Sequence, residues 1–363
     1  MIELLDLTKE YPGSNQAAVD HVNLFIEKGE TMALLGPSGC GKTSTLNMIV
    51  GLEKPTSGDI LIDGRSVVNV PIEKRGIGLV FQDYAVFTSM TVRKNLAFGL
   101  EVKKTPPKIV ASEVAETADF LGLTSKLEVK ARNLSGSELQ RVAIGRTLVT
   151  KPSILLLDEP LSNLEPEARL AMRQELRRLR QELGLTIIYV THDQVEALSL
   201  ADRLAIMNFG RLIEVEKTSI IIERPKVIEV AQFLGSPPMN LLGGFFHERE
   251  GFLAFRHKGT NLRLPYKSLP PNVKFGDQNF YYLGLRPEDL KLTDQSDPLL
   301  LGQISAIEYR GFDNVITVKD GELELKALAA GAIPKWGQAA GLTIDPLKLF
   351  IFNRLGRLIE AES

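Results

Sequence analysis

A glycine-rich segment followed by lysine and threonine is the clearest chemical motif in the chain. Residues 36–43, GPSGCGKT, fit the pattern GxxxxGK[ST] and lie between an apolar run and a helical pattern. Loop amides and the dipole of a helix N-terminus favour phosphate at such a position, and the glycines permit a backbone path that side chains would obstruct. Lys42 is expected to reach the β and γ phosphates of a nucleotide, and the Thr43 hydroxyl to ligate Mg²⁺. The residues predicted to contact the nucleotide here are Gly36, Pro37, Ser38, Gly39, Cys40, Gly41, Lys42, Thr43 and Ser44.

Two adjacent acidic residues end a second apolar run, ILLLDE at 154–159. A buried strand that ends in acids places them at the carboxyl edge of a parallel sheet, where ligands bind. Asp158 is expected to hold Mg²⁺ through water, and Glu159 to act as the general base on the attacking water. In isolation the two residues are equally consistent with a cap on the turn at Pro160.

Four further features accompany these motifs. Residues 134–141, LSGSELQR, begin an apolar-periodic helix, Gln82 follows the run GIGLVF, His192 follows TIIYVT, and Tyr11 precedes a Pro-Gly pair. Together with the phosphate loop and the acidic pair, this set resembles the ATP-binding subunits of ABC transporters over residues 1–235. The resemblance implies an ATP hydrolase that uses ATP and Mg²⁺.

The same resemblance assigns roles to individual residues. Tyr11 becomes the aromatic that stacks on adenine, Gln82 a magnesium and coupling contact, and His192 the switch that senses the γ-phosphate. The expected catalytic group is then Lys42, Gln82, Glu159 and His192, with metal ligands Thr43, Gln82 and Asp158. The residues expected to contact the nucleotide held by a partner subunit are Ser135, Gly136, Ser137 and Glu138. A helix N-terminus there supplies free amides to a phosphate.

The chain departs from the family pattern in two places. The family signature LSGGQ is LSGSE here, with Ser137 and Glu138 in place of glycine and glutamine. A carboxylate about 4 Å from a phosphate is repelled by up to about 4 kcal/mol at an effective dielectric constant of about 20. The loop after Glu159 ends in Glu165 instead of the usual aspartate. We therefore predict that this chain pairs with a related ATPase that carries an intact signature, with a homodimer as the alternative.

The elements that must position these residues follow from apolar patterning. Short apolar runs alternate with helical patterns up to about residue 235, which predicts α/β structure with buried parallel strands. The family's architecture of a RecA-like core with a helical subdomain is the expected fold of 1–235. The predicted strands are 31–35, 153–157 and 186–190, and the predicted helices are 42–50 and 165–183.

The last third of the chain has a different texture. Segments such as ISAIEY, NVITVKDG and ELELKAL alternate with period two, so residues 236–363 are predicted to form an all-β domain. This region resembles the small OB-like barrels of the carbohydrate-import branch, on residues 282–290, YLGLRPEDL, and more weakly on 237–240. The resemblance implies a regulatory or dimerisation role there, with a packing appendage that only holds the dimer together as an equal alternative. Arg286 with Glu288 is expected to be a structural ion pair.

Composition limits the remaining classes. A net charge of −2 over 363 residues argues against a nucleic-acid surface, and Cys40, the one cysteine, permits no internal disulfide, so a reducing compartment is expected. No run reaches the roughly 18 apolar residues of a spanning helix. The resemblance implies two permease subunits docked near Gln82 and at 84–98, including Phe87 and Met90, and indirectly an extracytoplasmic solute-binding protein, with no nucleic acid as partner.

The predicted function is ATP hydrolysis that powers import of a small carbohydrate or polyol, such as a sugar, glycerol or glycerol phosphate. The chain is expected to be peripheral, at the cytoplasmic face of the inner or plasma membrane. A nucleotide-binding partner with low turnover is one alternative, consistent with the altered signature. A soluble ABC ATPase of another process is a second, although the densest basic run, RQELRRLR at 173–180, is interrupted by glutamate and is typical of a solvated helix.

Overall fold

The computed structural model describes residues 1–249, 252–264, 270, 273–294, 298–311, 313–331 and 334–359. The chain divides into two compact units, Met1–Thr218 and Ser219–Ser363. Residues 219–235, predicted from sequence to end the first domain, belong by packing to the second unit. Their backbone is bonded there, since the Ile228 N–H donates to the Gly356 carbonyl and the Leu358 N–H to the Lys226 carbonyl. The functional boundary at 235/236 stays a prediction.

The first unit alternates strands and helices as the patterning predicts. Its strands are β1 (Ile2–Lys9), β2 (Val19–Ile26), β3 (Thr31–Leu35), β4 (Ser57–Ile62), β5 (Arg65–Ser66), β6 (Ile77–Val80), β7 (Ile154–Asp158), β8 (Thr186–Thr191), β9 (Arg203–Asn208) and β10 (Arg211–Lys217). Its helices are α1 (Lys42–Val50), α2 (Val92–Val102), α3 (Pro107–Phe120), α4 (Gly136–Leu148), α5 (Pro166–Leu183) and α6 (Gln194–Leu200). The five predicted elements are present, each within one residue of its predicted ends.

A six-stranded sheet in the order β10-β9-β3-β8-β7-β6 forms the centre of this unit. Five of its strands are parallel, and β10 pairs antiparallel with β9 at the edge. All residues of β3 and β8 are buried, which is the pattern of parallel strands covered on both faces. A four-stranded antiparallel sheet, β2-β1-β4-β5, accompanies it, and one apolar core contains residues of both sheets and of α1. Helices α2, α3 and α4 pack on one another as the predicted helical subdomain.

The second unit is all-β apart from two short helices, α7 (Thr218–Glu223) and α8 (Ile228–Phe233), among its described residues. Its two five-stranded antiparallel sheets have the orders β13-β12-β11-β14-β20 and β15-β19-β16-β17-β18 and contribute to one apolar core. Arg286 and Glu288 form the expected ion pair, at 3.6 Å. The strands are β11 (Asn240–Arg249), β12 (Phe252–His257), β13 (Thr260–Leu264), β14 (Phe280–Leu285), β15 (Leu290–Thr293), β16 (Leu300–Glu308), β17 (Asp313–Asp320), β18 (Leu323–Ala330), β19 (Ala339–Ile344) and β20 (Phe350–Phe352).

Among the described residues, no helix is both long and apolar enough to cross a membrane.

A buried arginine bonds to the C-terminal end of α1, the helix that follows the phosphate loop. Arg75 is 7% exposed, and its guanidinium donates to the carbonyls of Met48 at 2.9 Å and Ile49 at 2.8 Å. It also donates to Val70 at 2.9 Å and Val68 at 3.3 Å. The last carbonyls of a helix have no partner within the helix, and a cation there complements the helix dipole. Arg75 therefore joins α1 to the segment before β6.

We predict that Arg75→Lys lowers the melting temperature of the first unit by about 5 to 10 °C, because an ammonium group cannot reproduce the fork of donors and leaves buried carbonyls unpaired. Calorimetry measures this loss. Arg178→Lys is the control, since Arg178 forms an exposed pair with Glu182 at 2.8 Å that contributes little. Equal melting temperatures for the two variants would show that the Arg75 contacts are dispensable.

Candidate functional site

The loop 36–43 lies between the end of β3 and the start of α1, as predicted. Gly41 is the N-cap of α1 with φ of 105°, a conformation that side chains disfavour. The Lys42 ammonium is buried inside the loop and donates to the carbonyls of Gly36 at 2.8 Å and Pro37 at 3.0 Å. Thr43 is exposed in the first turn of the helix. The loop thus holds a lysine charge and a row of N-terminal amides next to a free hydroxyl, which is the donor set for a phosphate.

Close packing explains why the loop begins with glycine and contains a cysteine. A Cβ added at Gly36 would lie 2.2 Å from the Met207 carbonyl oxygen and 2.7 Å from the Cys40 sulfur, so no larger residue fits. Cys40 is 3% exposed. Burial raises the pKa of its thiol, although the Lys42 charge opposes that shift. Cys40 is therefore a packing residue of the apolar core within the loop, as its small size suggests.

Tyr11 lies beside the first turn of α1. Its hydroxyl is 3.1 Å from the Ser44 hydroxyl and donates to the Glu53 carboxylate at 2.5 Å. Lys9 adds an ion pair to Glu53 at 3.5 Å and sits over the Tyr11 ring, 5.1 Å from its centre. The ring remains 38% exposed next to the phosphate loop. The position suits an aromatic that stacks on a base, and that role stays a prediction.

Two residues from separate loops meet at the Glu159 carboxylate. The Gln82 amide donates to Glu159 Oε2 at 3.3 Å, and His192 Nδ1 is 3.0 Å from Glu159 Oε1. Glu159 has φ of 44°, an uncommon conformation for a residue with a side chain, and its N–H donates to the Val190 carbonyl at 2.9 Å. Both Glu159 carboxylate oxygens are therefore oriented by side chains that lie 77 and 33 residues away along the chain.

Asp158, at the end of β7, is the residue whose chemistry suits a metal ion. Burial, foremost, and the charge of Glu159 raise the pKa of Asp158, while the Lys42 charge lowers it. The described residues contain no cluster of three or more His, Cys, Asp or Glu that could hold a metal unaided. Mg²⁺ typically takes one or two carboxylates together with phosphate oxygens and water. One half-buried carboxylate near a phosphate loop, with the Thr43 hydroxyl and the Gln82 amide oxygen, fits such an ion.

The altered signature at 135–138 forms the start of α4. Ser135 is the N-cap, with its hydroxyl accepting from the Glu138 N–H at 3.4 Å and its own N–H donating to the Glu138 carboxylate at 2.9 Å. Lys126 lies 3.3 Å from the same carboxylate. The Ser135 N–H, first, and Lys126 lower the pKa of Glu138. Glu138 is thus one half of a capping box, and its charge is partly neutralised within the chain.

The signature does not join the phosphate loop within one chain. No hydrogen bond in the described part of the chain links residues 135–138 to residues 36–44. Gly136 instead lies against the loop after Glu159, where an added Cβ would be 3.6 Å from a Leu164 methyl group. A second chain is needed to complete a site that uses both segments.

Sequence reasoning missed the contacts that hold the Gln82 loop. Asn163 donates to the Gln82 carbonyl at 2.9 Å, which ties the loop after Glu159 to this segment. Tyr84 and Ala85 both have positive φ, and the Arg146 guanidinium donates to the Ala85 carbonyl. No pattern of apolar residues or glycines in the sequence predicts these contacts. Glu165 is the N-cap of α5, and its side chain forms no capping hydrogen bond in the part of the chain that the structure describes.

Sequence comparisons identify related proteins along nearly the whole chain. The pattern of the ABC transporter family matches residues 19–162, and that of the TOBE domain matches residues 283–352. The trehalose/maltose import ATP-binding protein MalK of Thermococcus litoralis is 38% identical over 371 residues, covering 97% of this chain and 97% of the relative. The sn-glycerol-3-phosphate import ATP-binding protein UgpC of Brucella abortus biovar 1 is 40% identical, covering 98% of each chain.

A solved structure of the same family aligns with part of the chain. The chain CbiO1 of Clostridium perfringens, part of the ABC transporter complex CbiONQ, aligns with a TM-score of 0.58 and 30% identity. The alignment covers 61% of this chain and 90% of that one. The fold class predicted from the sequence, an α/β ATPase domain followed by an all-β domain, is confirmed. The chain therefore belongs to the ABC transporter family of ATP-binding proteins.

Proposed function

We propose that the chain is the ATP-hydrolysing subunit of an importer, with Glu159 as the general base and Gln82 and His192 as the residues that orient it. The observation that carries this proposal is the convergence of both side chains on the two Glu159 oxygens, at 3.3 and 3.0 Å. A base must be held within reach of the proton that it removes. Neither the low-turnover alternative nor an ATPase of an unrelated process is favoured by any feature of this site.

The proposed mechanism uses the geometry of the loop edge. Lys42 and the amides of residues 36–43 bind the β and γ phosphates, and Tyr11 supplies the ring on which adenine stacks. Asp158, Thr43 and Gln82 would hold Mg²⁺, which neutralises phosphate charge when bound. Glu159 takes a proton from the attacking water, and His192 contacts the γ-phosphate.

The membrane contact is proposed at the Gln82 loop and residues 84–98. Phe87 is anchored there by three contacts, because it packs on Phe98 with ring centres 4.7 Å apart, lies 4.4 Å from the Arg146 guanidinium carbon, and bonds through its backbone to the buried Asn95 side chain. The loop thus has a firm apolar base and an exposed outer side at Thr88 and Ser89. Two permease subunits docked here would sense Gln82 directly, and the chain would sit peripherally on the cytoplasmic face.

The transported substrate is proposed at the level of chemical class. Relatives of nearly full length are named for trehalose, maltose and glycerol phosphate, which are polyhydroxylated solutes. A carbohydrate or polyol is therefore the proposed cargo, delivered by an extracytoplasmic solute-binding protein. Stimulation of ATP hydrolysis in the assembled transporter by candidate solutes and their binding protein tests the class.

We predict that Glu159→Gln lowers the ATP hydrolysis rate by about 10²- to 10⁴-fold, because the water loses its base, while ATP affinity is kept. The variant should accumulate as a closed, nucleotide-bound dimer in size-exclusion chromatography. Glu167→Gln, an exposed position in the first turn of α5, is the matched control. Normal turnover by Glu159→Gln would exclude it as the base.

We predict that Lys42→Ala weakens ATP binding by about tenfold to a hundredfold, since a charge-assisted contact to the β and γ oxygens is lost. A fluorescent nucleotide titration measures the dissociation constant. Lys28→Ala removes an exposed lysine outside the loop and should bind ATP as the parent does. Unchanged affinity in Lys42→Ala would count against the phosphate-loop assignment.

A second ATPase subunit is part of the proposed working unit. The phosphate loop with Asp158, Glu159 and His192 is complete, whereas the signature carries Ser137 and Glu138. Paired with a related ATPase that has an intact signature, this chain's own nucleotide would face the better signature. We therefore propose one copy of this chain and one relative on two permease subunits. Isolation of the native transporter with two copies of this chain and no second ATPase would refute the pairing.

We predict that the variant with both Ser137→Gly and Glu138→Gln hydrolyses ATP faster as a homodimer than the parent chain. Gln accepts the Ser135 N–H as Glu138 does, so the capping box survives and only the charge is removed. Steady-state ATPase rates test this, with Glu138→Gln alone separating the charge from the added serine side chain. An ATPase rate equal to that of the parent in both variants would show that the altered signature does not slow hydrolysis. That result would favour the homodimer.

A further inference from the structure

The His192 imidazole has little packing of its own to hold it. Its side chain is 55% exposed, and a single hydrogen bond, 3.0 Å to Glu159, is its contact with the proposed base. The residue stands between the end of β8 and the start of α6. Its direction must therefore be set by the backbone on either side, at Thr191 and Asp193.

A side-chain hydroxyl closes that backbone around His192. Thr191 is 1% exposed, and its hydroxyl accepts from the Asp193 N–H at 2.9 Å and donates to Glu196 Oε2 at 3.0 Å. The Asp193 carboxylate in turn accepts from the Glu196 N–H at 3.1 Å. The two residues that flank His192 are thus bonded to each other across it, and both are bonded to Glu196.

The arrangement is a capping box with an extra member. Asp193 is the N-cap of α6, and Glu196 is the third residue of the helix. In the simple capping box the third residue accepts directly from the N-cap N–H. Here that N–H goes to Thr191, and the Glu196 carboxylate accepts the Thr191 hydroxyl instead. Thr191 is the last residue of β8, and its hydroxyl bonds to Asp193 and Glu196 at the start of α6. An ordinary capping box contains no such bond between the strand and the helix.

Glu196 is committed to this arrangement by its surroundings. It is 4% exposed and accepts a second hydroxyl on the same oxygen, from Tyr189 at 3.0 Å. Burial raises the pKa of Glu196, while the hydrogen bonds from Tyr189 and Thr191 oppose that shift and Arg169 adds a smaller opposing effect. The free energy of unfolding falls when a buried carboxylate loses one of its hydrogen-bond partners.

We propose that Thr191 and Glu196 are positioning residues that act through His192, by fixing the backbone on both of its sides so that the imidazole points at Glu159. The proposal rests on the function assigned above to Glu159 and His192. Thr191 and Glu196 are buried behind the histidine and act without touching the nucleotide. Their loss misdirects His192 and leaves the phosphate loop unchanged.

We predict that Thr191→Val lowers kcat for ATP hydrolysis by about tenfold, with ATP affinity within about twofold of the parent, because a single oriented contact to the base is lost while the loop still binds phosphate. Thr191→Ser keeps the hydroxyl and should retain at least about half of the parent kcat. Both are measured in the full-length chain assembled with its partner subunits. A parent level of kcat in Thr191→Val, or an equal loss in Thr191→Ser, overturns the proposal.

A matched variant separates positioning from simple stabilisation. Tyr189→Phe removes the other hydroxyl from the same Glu196 oxygen at an equally buried position but leaves the Asp193 N–H bonded. Melting temperatures of Tyr189→Phe and Thr191→Val should fall by similar amounts, while only Thr191→Val lowers kcat. A parallel loss of kcat in both variants would assign the effect to stability and overturn the positioning role.

A double-mutant cycle tests whether the effect passes through the histidine. In a His192→Ala background, Thr191→Val should produce no further loss of kcat, because the group that it positions is absent. A further tenfold loss would overturn the proposal. Failure of the assigned function is distinguishable, since Glu159→Gln and His192→Ala would then each retain the kcat of the parent.

A second position keeps the test decisive if Thr191→Val does not fold. Glu196→Gln retains an oxygen that accepts from Thr191 and Tyr189, so kcat near that of the parent is expected. A tenfold loss in folded Glu196→Gln would place the effect in the charge of Glu196 and overturn the hydroxyl arrangement proposed here.

Discussion

Parallel pairing of the central strands is the constraint on which the site depends. Because β6, β7, β8 and β3 run in the same direction, their carboxyl ends meet at one edge, with Val80 opposite Leu157, Asp158 opposite Val190, and Leu35 opposite Thr191. The loops that carry Gln82, Glu159, His192 and the phosphate-binding lysine all leave from that edge. Antiparallel neighbours would send half of these loops to the opposite side. The direction and pairing of the strands therefore bring the residues of the proposed catalytic group to one edge of the sheet, independently of their side-chain contacts.

The sequence predicts the parts of this site that are encoded by local pattern. Glycines and a lysine after a buried strand specify the phosphate loop, and two acids at the end of another strand specify Asp158 and Glu159. Side-chain hydrogen bonds between distant segments have no such pattern. Arg75 under α1, the Asn163 contact to the Gln82 carbonyl, and the Thr191 hydroxyl between β8 and α6 are visible only once the strands are paired. The packing boundary at residue 218 has no such pattern either, because it depends on the contacts that residues 219–235 make with the rest of the second unit.

The altered signature places a residue, Glu138, where helix capping and the proposed composite site have opposing requirements. In the proposed composite site, Glu138 adds a negative charge near the phosphate held by a partner subunit, where the family's glutamine would be neutral. Within the chain the same carboxylate caps α4 through the Ser135 N–H and pairs with Lys126. A negative charge in the first turn also suits the helix dipole. The charge of Glu138 therefore favours local stability but opposes the proposed composite site, whereas glutamine would keep the bond to the Ser135 N–H without that charge.

The adjacent carboxylates at the end of β7 are separated in role by their surroundings. Glu159 turns away from the strand through a left-handed backbone and meets Gln82 and His192. Asp158 stays at the buried end, where burial raises its pKa. A carboxyl with a raised pKa favours the folded chain below its ordinary pKa, and that advantage is lost as the pH rises through the raised value. At neutral pH the charge on Asp158 is thus a cost that a bound cation would offset, whereas Glu159 already has neighbours for both oxygens. The proposal assigns metal binding to Asp158 and proton transfer to Glu159 because, of the two residues, Glu159 is the one with hydrogen-bond neighbours on both carboxylate oxygens in the described part of the chain.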